Sequence, residues 1–285
     1  MRRRIRIARV VSLVACLTAC GGGASASAPV VTPPDNVVVF PGFDTSIYPG
    51  DVAMTAWRYP KSPYYWSGYY LPAPCHRDLT WSNRYSTLHA MGWGLAAIYV
   101  GQQDWTQIPQ SILVRGANAS LRAAQSIIGE QAVCSASLLS ADQGASEAAD
   151  AVARLEADGF PVGTIVFLDV EFVTSVTPTL LGYYRAWIAA VIRDGRYRPG
   201  VYAAKSNATT LYVAAVDAYR GAGSAEQPPF WIASSSGFSL AQTPTAVGLD
   251  FAKLWQGMFD VTQTWNGATL LIDVDVAANR SPSNP

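Results

Sequence analysis

Histidine is almost absent: His76 and His89 are the only two in 285 residues. Neither stands at a metal-ligand spacing, and His89 falls on an expected helix as a surface or half-buried residue. The expected metal complement is therefore none, and so is the cofactor complement. The acids described below are the one alternative place for a divalent cation. There is no Gly-x-Ser-x-Gly elbow and no Walker phosphate loop. Charged residues make up only 14% of the chain. No segment is apolar for long enough to read as a membrane-spanning helix. The chain has four cysteines, two of them within the first 20 residues.

The N-terminus carries an address. Arg2, Arg3, Arg4, Arg6 and Arg9 form a basic region, and Val10 to Thr18 is a short apolar stretch. Leu17-Thr18-Ala19-Cys20, followed by Gly21-Gly22-Gly23, resembles a bacterial lipobox. Such a signal implies cleavage before Cys20 and a diacylglycerol on its thiol. An ordinary secretory peptide cut elsewhere is the alternative. Without the five arginines the balance is fifteen basic against twenty acidic side chains, a net charge of about −5. That excludes a nucleic-acid partner or an anionic membrane surface read by charge. Residues 21–37 are mostly Gly, Ala, Ser, Pro and Thr with little to bury, and read as a flexible tether.

Cysteine use agrees with export. Once Cys16 leaves with the signal and Cys20 is lipidated, Cys75 and Cys134 remain, an even number for an oxidising compartment. Both lie in loop-like sequence. A disulfide between them is expected, with two free thiols as the alternative.

From residue 38 onward about 240 residues suffice for one core. Apolar runs alternate with helical patterns. Strands are expected at Val37–Asp44, Tyr64–Leu71, Trp93–Gln102, 164–172, Gly200–Ala204, Phe230–Ala233, Lys253–Gly257 and Leu270–Val276. Helices are expected at Asp78–Met91, capped by Asp78 or Thr80, and at Ala145–Asp158, Thr179–Arg193 and Ala208–Tyr219. Gln103–Ser140 reads as a long, partly helical insertion near the mouth of a site. Eight alternating units predict a TIM-like (β/α)8 barrel in the α/β class, incomplete or irregular in places. An open doubly wound sheet is the alternative, though no Gly-rich loop follows the first strand.

Acids gather at the strand ends. Thr-Ile-Val-Phe-Leu-Asp-Val-Glu-Phe at 164–172 is apolar until Asp169 and Glu171, which alternation puts on one face. Asp44 ends the first strand, and Asp273 and Asp275 lie on the last. In a parallel barrel the carboxyl-terminal ends open onto one face, so these acids can converge. Crowded carboxylates raise one another's pKa, which makes a general acid. A pair of structural acids capping the next helix or holding a loop is the other reading. Tyr99, Gln102, Tyr202, Trp231, Trp255 and Gln256 also fall near strand ends, and with Asp275 they are the expected substrate contacts. For any single aromatic, barrel core is the alternative.

Gly42-Phe43-Asp44-Thr45, Met91-Gly92-Trp93-Gly94-Leu95, Ile98-Tyr99-Val100-Gly101-Gln102-Gln103, Asp169-Val170-Glu171, Gly200-Val201-Tyr202 and Ile272-Asp273-Val274-Asp275 together resemble a bacterial glycoside hydrolase-like domain, domain of unknown function 1906. The likeness covers most of residues 40–278. That family is similar to the family 25 lysozymes, whose Asp-x-Glu strand lies in an incomplete (β/α) barrel. The resemblance implies Glu171 as proton donor. Asp169 would orient or stabilise the reacting centre, or assist an acetamido nucleophile. Asp44 and Asp273 would line the cleft. Asp275 stands where the lysozymes tend to carry Asn. The expectation is a lipid-anchored, extracytoplasmic, monomeric glycosidase acting on cell-wall polysaccharide such as peptidoglycan. The membrane would be a partner only through the lipid. A barrel that binds glycan without cleaving it is the alternative function. The expected layout is signal 1–19, lipidated tether 20–37 and barrel 38–285.

Overall fold

A computed structural model describes residues 39–107, 133–171 and 173–284. The signal segment, Cys20, the tether and most of the insertion lie outside the described residues. Among those described, eight strands close into one barrel in chain order. They are β1 (Phe40–Asp44), β2 (Trp66–Tyr70), β3 (Gly94–Tyr99), β4 (Ile165–Val170), β5 (Arg198–Ala204), β6 (Phe230–Ala233), β7 (Ala252–Trp265) and β8 (Ala268–Ala277). The α/β barrel class is as the alternation predicts. Helices α1 (Asp51–Trp57), α2 (Tyr85–Met91), α3 (Ala141–Ala157), α4 (Pro178–Asp194) and α5 (Lys205–Gly221) pack outside.

The long helices carry the signals that define them. Ser140 accepts from Gln143 N–H to start α3. Thr177 accepts from Leu180 N–H to start α4, Pro178 takes its first turn, and Gly195 closes it in the left-handed region. The expected helix from Asp78 starts later. Asp78 Oδ1 accepts from Thr80 N–H at 2.8 Å in a local turn, and Asn83 at φ 62° breaks the helical run before Tyr85.

The fully parallel arrangement is corrected at the last strand. β1 to β7 pair in parallel, but β8 is antiparallel to both β7 and β1. No crossover helix is needed there, because Asn266-Gly267 turns β7 directly into β8 with φ of 47° and 83°. The register shifts twice along β7, at Gln256/Met258 and Met258/Val261. The resulting arm docks on α1 and its flank. Trp57 Nε1 donates to Ala268 O at 2.9 Å, and Asn266 Nδ2 donates to Ala56 O and Lys61 O, each at 2.9 Å.

The barrel interior is layered. Trp66, Phe167 and Trp231 meet edge to face at centroid separations of 5.4 and 5.8 Å. Polar side chains lie above this aromatic floor. The outside of β1 is as tightly built, with Phe43 against Trp57, Tyr64 and Trp93. The expected disulfide is present between Cys75 and Cys134, with Cα atoms 5.1 Å apart. It ties the loop after β2 to the end of the insertion.

Candidate functional site

Strand alternation brings four distant acids to one cavity. Asp44 is the last residue of β1 and pairs directly with Asp273 of β8. Asp169 is the fifth residue of β4, and Glu171 follows the strand by one. All four line one cavity with Tyr70, Ile98, Tyr202, Trp231 and Gln256. The cavity is narrow, about 10 Å³, room for about one water molecule. Gly68 of β2 makes room for Asp44, since a Cβ there would stand 2.6 Å from the Asp44 Cβ.

The acids meet by a different route from the one expected. A parallel last strand would deliver Asp273 and Asp275 at its carboxyl end. In the antiparallel β8, Asp273 enters the cavity and Asp275, further along the chain, lies deeper. Asp275 pairs in register with Gly42 rather than Asp44. It is wholly buried, and its Oδ1 accepts from Trp231 Nε1 at 2.9 Å. Asp275 is thus part of the barrel floor and not of the cavity lining.

The hydrogen bonds distribute the charge. Asp44 Oδ1 accepts from Tyr70 OH at 2.6 Å, and Oδ2 accepts from Gln256 Nε2 at 2.7 Å. Gln256 is oriented by Tyr202 OH, which donates to its Oε1 at 2.6 Å. Burial raises the Asp44 pKa, while Tyr70, Gln256 and a proton shared with Asp275 pull it back. Asp273 accepts from Asp260 N–H at 2.6 Å, yet burial and then the Asp44 charge push it up to about 8. Asp169 is pushed well above the carboxylate range by burial, then by Glu171 and Asp44. Asp275 is raised too, first by burial and then by Asp44 and Asp273. Asp169 Oδ1 has no hydrogen-bond partner among the described residues. Burial and like charge thus raise Asp44, Asp169, Asp273 and Asp275 together, and such a coupled cluster retains protons at a pH where separate carboxyls have lost theirs. It can therefore donate a proton where a lone surface carboxyl cannot.

Tyr202, Trp231 and Gln256 reach the cavity as expected, but three other expected contacts do not. Tyr99 points to the helix layer, where its OH donates to Asp150 on α3 at 3.0 Å. Gln102 also turns outward, donating to Glu147 Oε1 at 2.7 Å and to Val133 O at 2.8 Å. Trp255 sits one position before the inward Gln256, so alternation sends it out to Ser234 O and the Phe238 ring. Tyr70 was not among the expected contacts. Its place at the end of the second strand was the available signal.

His76 is buried on the loop after β2 with its ring 5.0 Å from Tyr70, and burial lowers its pKa to about 4. No group of three or more His, Cys, Asp or Glu side chains among the described residues is arranged to hold a metal ion.

No curated protein matches the chain. Solved structures share the fold at low identity. An uncharacterized B. stearothermophilus protein is 16% identical with a TM-score of 0.54, over 84% of this chain and 95% of its own. The catalytic domain of endolysin ply40 from bacteriophage P40 of Listeria monocytogenes is 13% identical with a TM-score of 0.52, over 87% and 98%. The modular autolysin LytC from Streptococcus pneumoniae is 11% identical with a TM-score of 0.52, over 84% of this chain but 46% of its own. The sequence model of the Rv2525c-like, glycoside hydrolase-like domain matches residues 55–277, and the chain belongs to that family.

Proposed function

We propose that the protein is a glycoside hydrolase of the cell envelope that acts as a monomer on a peptidoglycan-like glycan, with Glu171 as general acid. The observation that carries this reading is the meeting of Asp44, Asp169, Glu171 and Asp273 in one cavity beside Tyr70, Tyr202 and Trp231. Glycoside hydrolysis needs a protonated carboxyl at the leaving oxygen and a second carboxyl that stabilises or attacks the sugar. Glu171 delivers the proton to the glycosidic oxygen. Asp169 has a buried oxygen without a partner, suited to the N–H of a 2-acetamido group. Asp44, which accepts from Tyr70 and Gln256, is the second carboxyl, beside the developing oxocarbenium. An autolysin and an endolysin among the structural neighbours support the substrate class, and LytC is known in complex with a synthetic peptidoglycan ligand. Residues 1–19 serve as the signal, Cys20 as the lipid anchor, 20–37 as the tether and 38–285 as the barrel.

A second reading, glycan binding without cleavage, draws on the same cavity. Its volume suits about one water, and Asp44 is already saturated by Tyr70 and Gln256. Digestion of peptidoglycan by wild type and Glu171→Gln distinguishes the two. An amide cannot donate the carboxylic proton, so turnover should fall by about 10²-fold or more. Equal turnover removes Glu171 from the role. Binding with no release of fragments by wild type favours the second reading.

A further inference from the structure

β4 ends at Val170, one residue before Glu171. On one side its last partner is Tyr99, paired with Leu168, and on the other Ala203, paired with Val170. Alternation keeps Asp169 and Glu171 on one face only while the chain stays extended. The sheet itself no longer enforces that at Glu171.

Two buried amides stand where the missing neighbours would be. Gln103 Nε2 donates to Asp169 O at 2.7 Å, and Gln103 Oε1 accepts from Glu171 N–H at 3.1 Å. A residue of an adjacent parallel strand would make the same two bonds around Val170. Further along, Asn207 of α5 brackets Val173. Its Oδ1 accepts from Val173 N–H at 3.3 Å and its Nδ2 donates to Val173 O at 2.9 Å. Gln107 then takes Ser175 N–H and Thr174 OH at 3.1 and 3.2 Å.

The platform for Gln103 is itself locked. Its neighbour Gln102 faces the other way, bonded through its backbone N–H to Tyr183 OH and through its side chain to Glu147, Val133 O and Ser135 N–H. Cys134, between those last two residues, is held by the disulfide. Gly101 fits against Tyr183, where a Cβ would stand 2.1 Å from the phenol oxygen.

We infer that Gln103 and Asn207 are positioning residues for the acidic pair: their side-chain amides continue the β-ladder past the end of β4 and hold Glu171 on the face of Asp169. The catalytic consequence rests on the proposed function, but the geometric one does not. Gln103→Met keeps length and removes donor and acceptor. It should lower kcat by about 10- to 100-fold with KM within about threefold, because Glu171 is misplaced while the rest of the cavity is intact. Gln103→Glu restores both bonds only when its carboxyl is protonated, so its activity should recover toward acid pH.

A second readout needs no turnover. Glu171 contributes to the raised pKa of Asp169. Carbon-13 NMR titration of aspartate-labelled protein should therefore show the Asp169 midpoint falling in folded Gln103→Met. Asn207→Leu serves the same test if Gln103→Met does not fold. Wild-type kcat with an unmoved Asp169 midpoint in a folded variant overturns the inference. If wild type turns over no glycan, the hydrolase reading fails, and the Asp169 midpoint alone decides whether the amides hold the pair.

Discussion

Replacing Asp273 by asparagine should make the fold less sensitive to alkali. Asp273 faces Asp44 across the β1–β8 register and is held up to about 8 by burial, by Asp44 and, further down, by Asp260 and Glu171. Its ordinary value is 3.8. A carboxyl raised in the folded state stabilises fully below its unfolded value, and that contribution is lost as pH rises through the folded value. The window here runs from about pH 4 to pH 8. Between pH 6 and 9 one such group loses about 2.5 kcal/mol, at about 1.36 kcal/mol per pH unit until it ionises. In a domain of this size 1 kcal/mol moves Tm by about 2–4 °C, so the loss is about 5–10 °C. The amide is nearly isosteric. It keeps an oxygen for Asp260 N–H and gives up the longer 3.3 Å bond that Asp273 Oδ2 accepts from Gln256, while Gln256 retains its 2.7 Å bond to Asp44. Thermal melts of wild type and Asp273→Asn by circular dichroism at pH 6 and pH 9 measure the difference. Wild type should fall by about 5–10 °C more than the variant. An equal fall in both would mean that Asp273 is not held protonated by the cluster, and the electrostatic account of the cavity would be wrong.

The other expectations concern the frame and the anchor. The Cys75–Cys134 bond closes a loop of sequence separation 59, so Cys75→Ser with Cys134→Ser should cost about 4 kcal/mol by loop-closure entropy, read as a lower Tm than wild type; an unchanged Tm counts against it. Gly94→Ala would set a Cβ 1.8 Å from Arg280 O and displace the segment whose Ser283 bonds Leu95, Ala97 and Ile165. A loss of about 1–3 kcal/mol in urea unfolding is expected, and wild-type stability would show that the segment yields freely. Cys20→Ala should abolish fatty-acid labelling and membrane retention, and labelled variant protein would place the anchor elsewhere.

Much of this molecule was legible without coordinates. The apolar runs are local signals that gave the long helices α3 and α4, while their caps at Ser140 and Thr177 start α3 four residues and α4 one residue before the expected positions. The Asp169-Val170-Glu171 spacing marked two carboxyls for one face because strand alternation is a local rule, although β4 itself stops at Val170. Beyond the first 20 residues only Cys75 and Cys134 remain, which left one pairing, and it is present. The direction of β8 was open to reading at Asn266-Gly267, a hairpin signal that an expectation of strict βα alternation overrides.

Other features belong to tertiary structure alone. Whether Tyr99, Gln102 and Trp255 face the cavity or the helices depends on strand phase at each barrel position, and a one-residue difference reverses it. Asp44 meets Asp273 because an antiparallel register sets them opposite each other, and no local pattern encodes a pairing across more than two hundred residues. The raised pKa of the acids follows from that convergence and from the burial it causes, since neither like-charge proximity nor desolvation exists until the barrel closes.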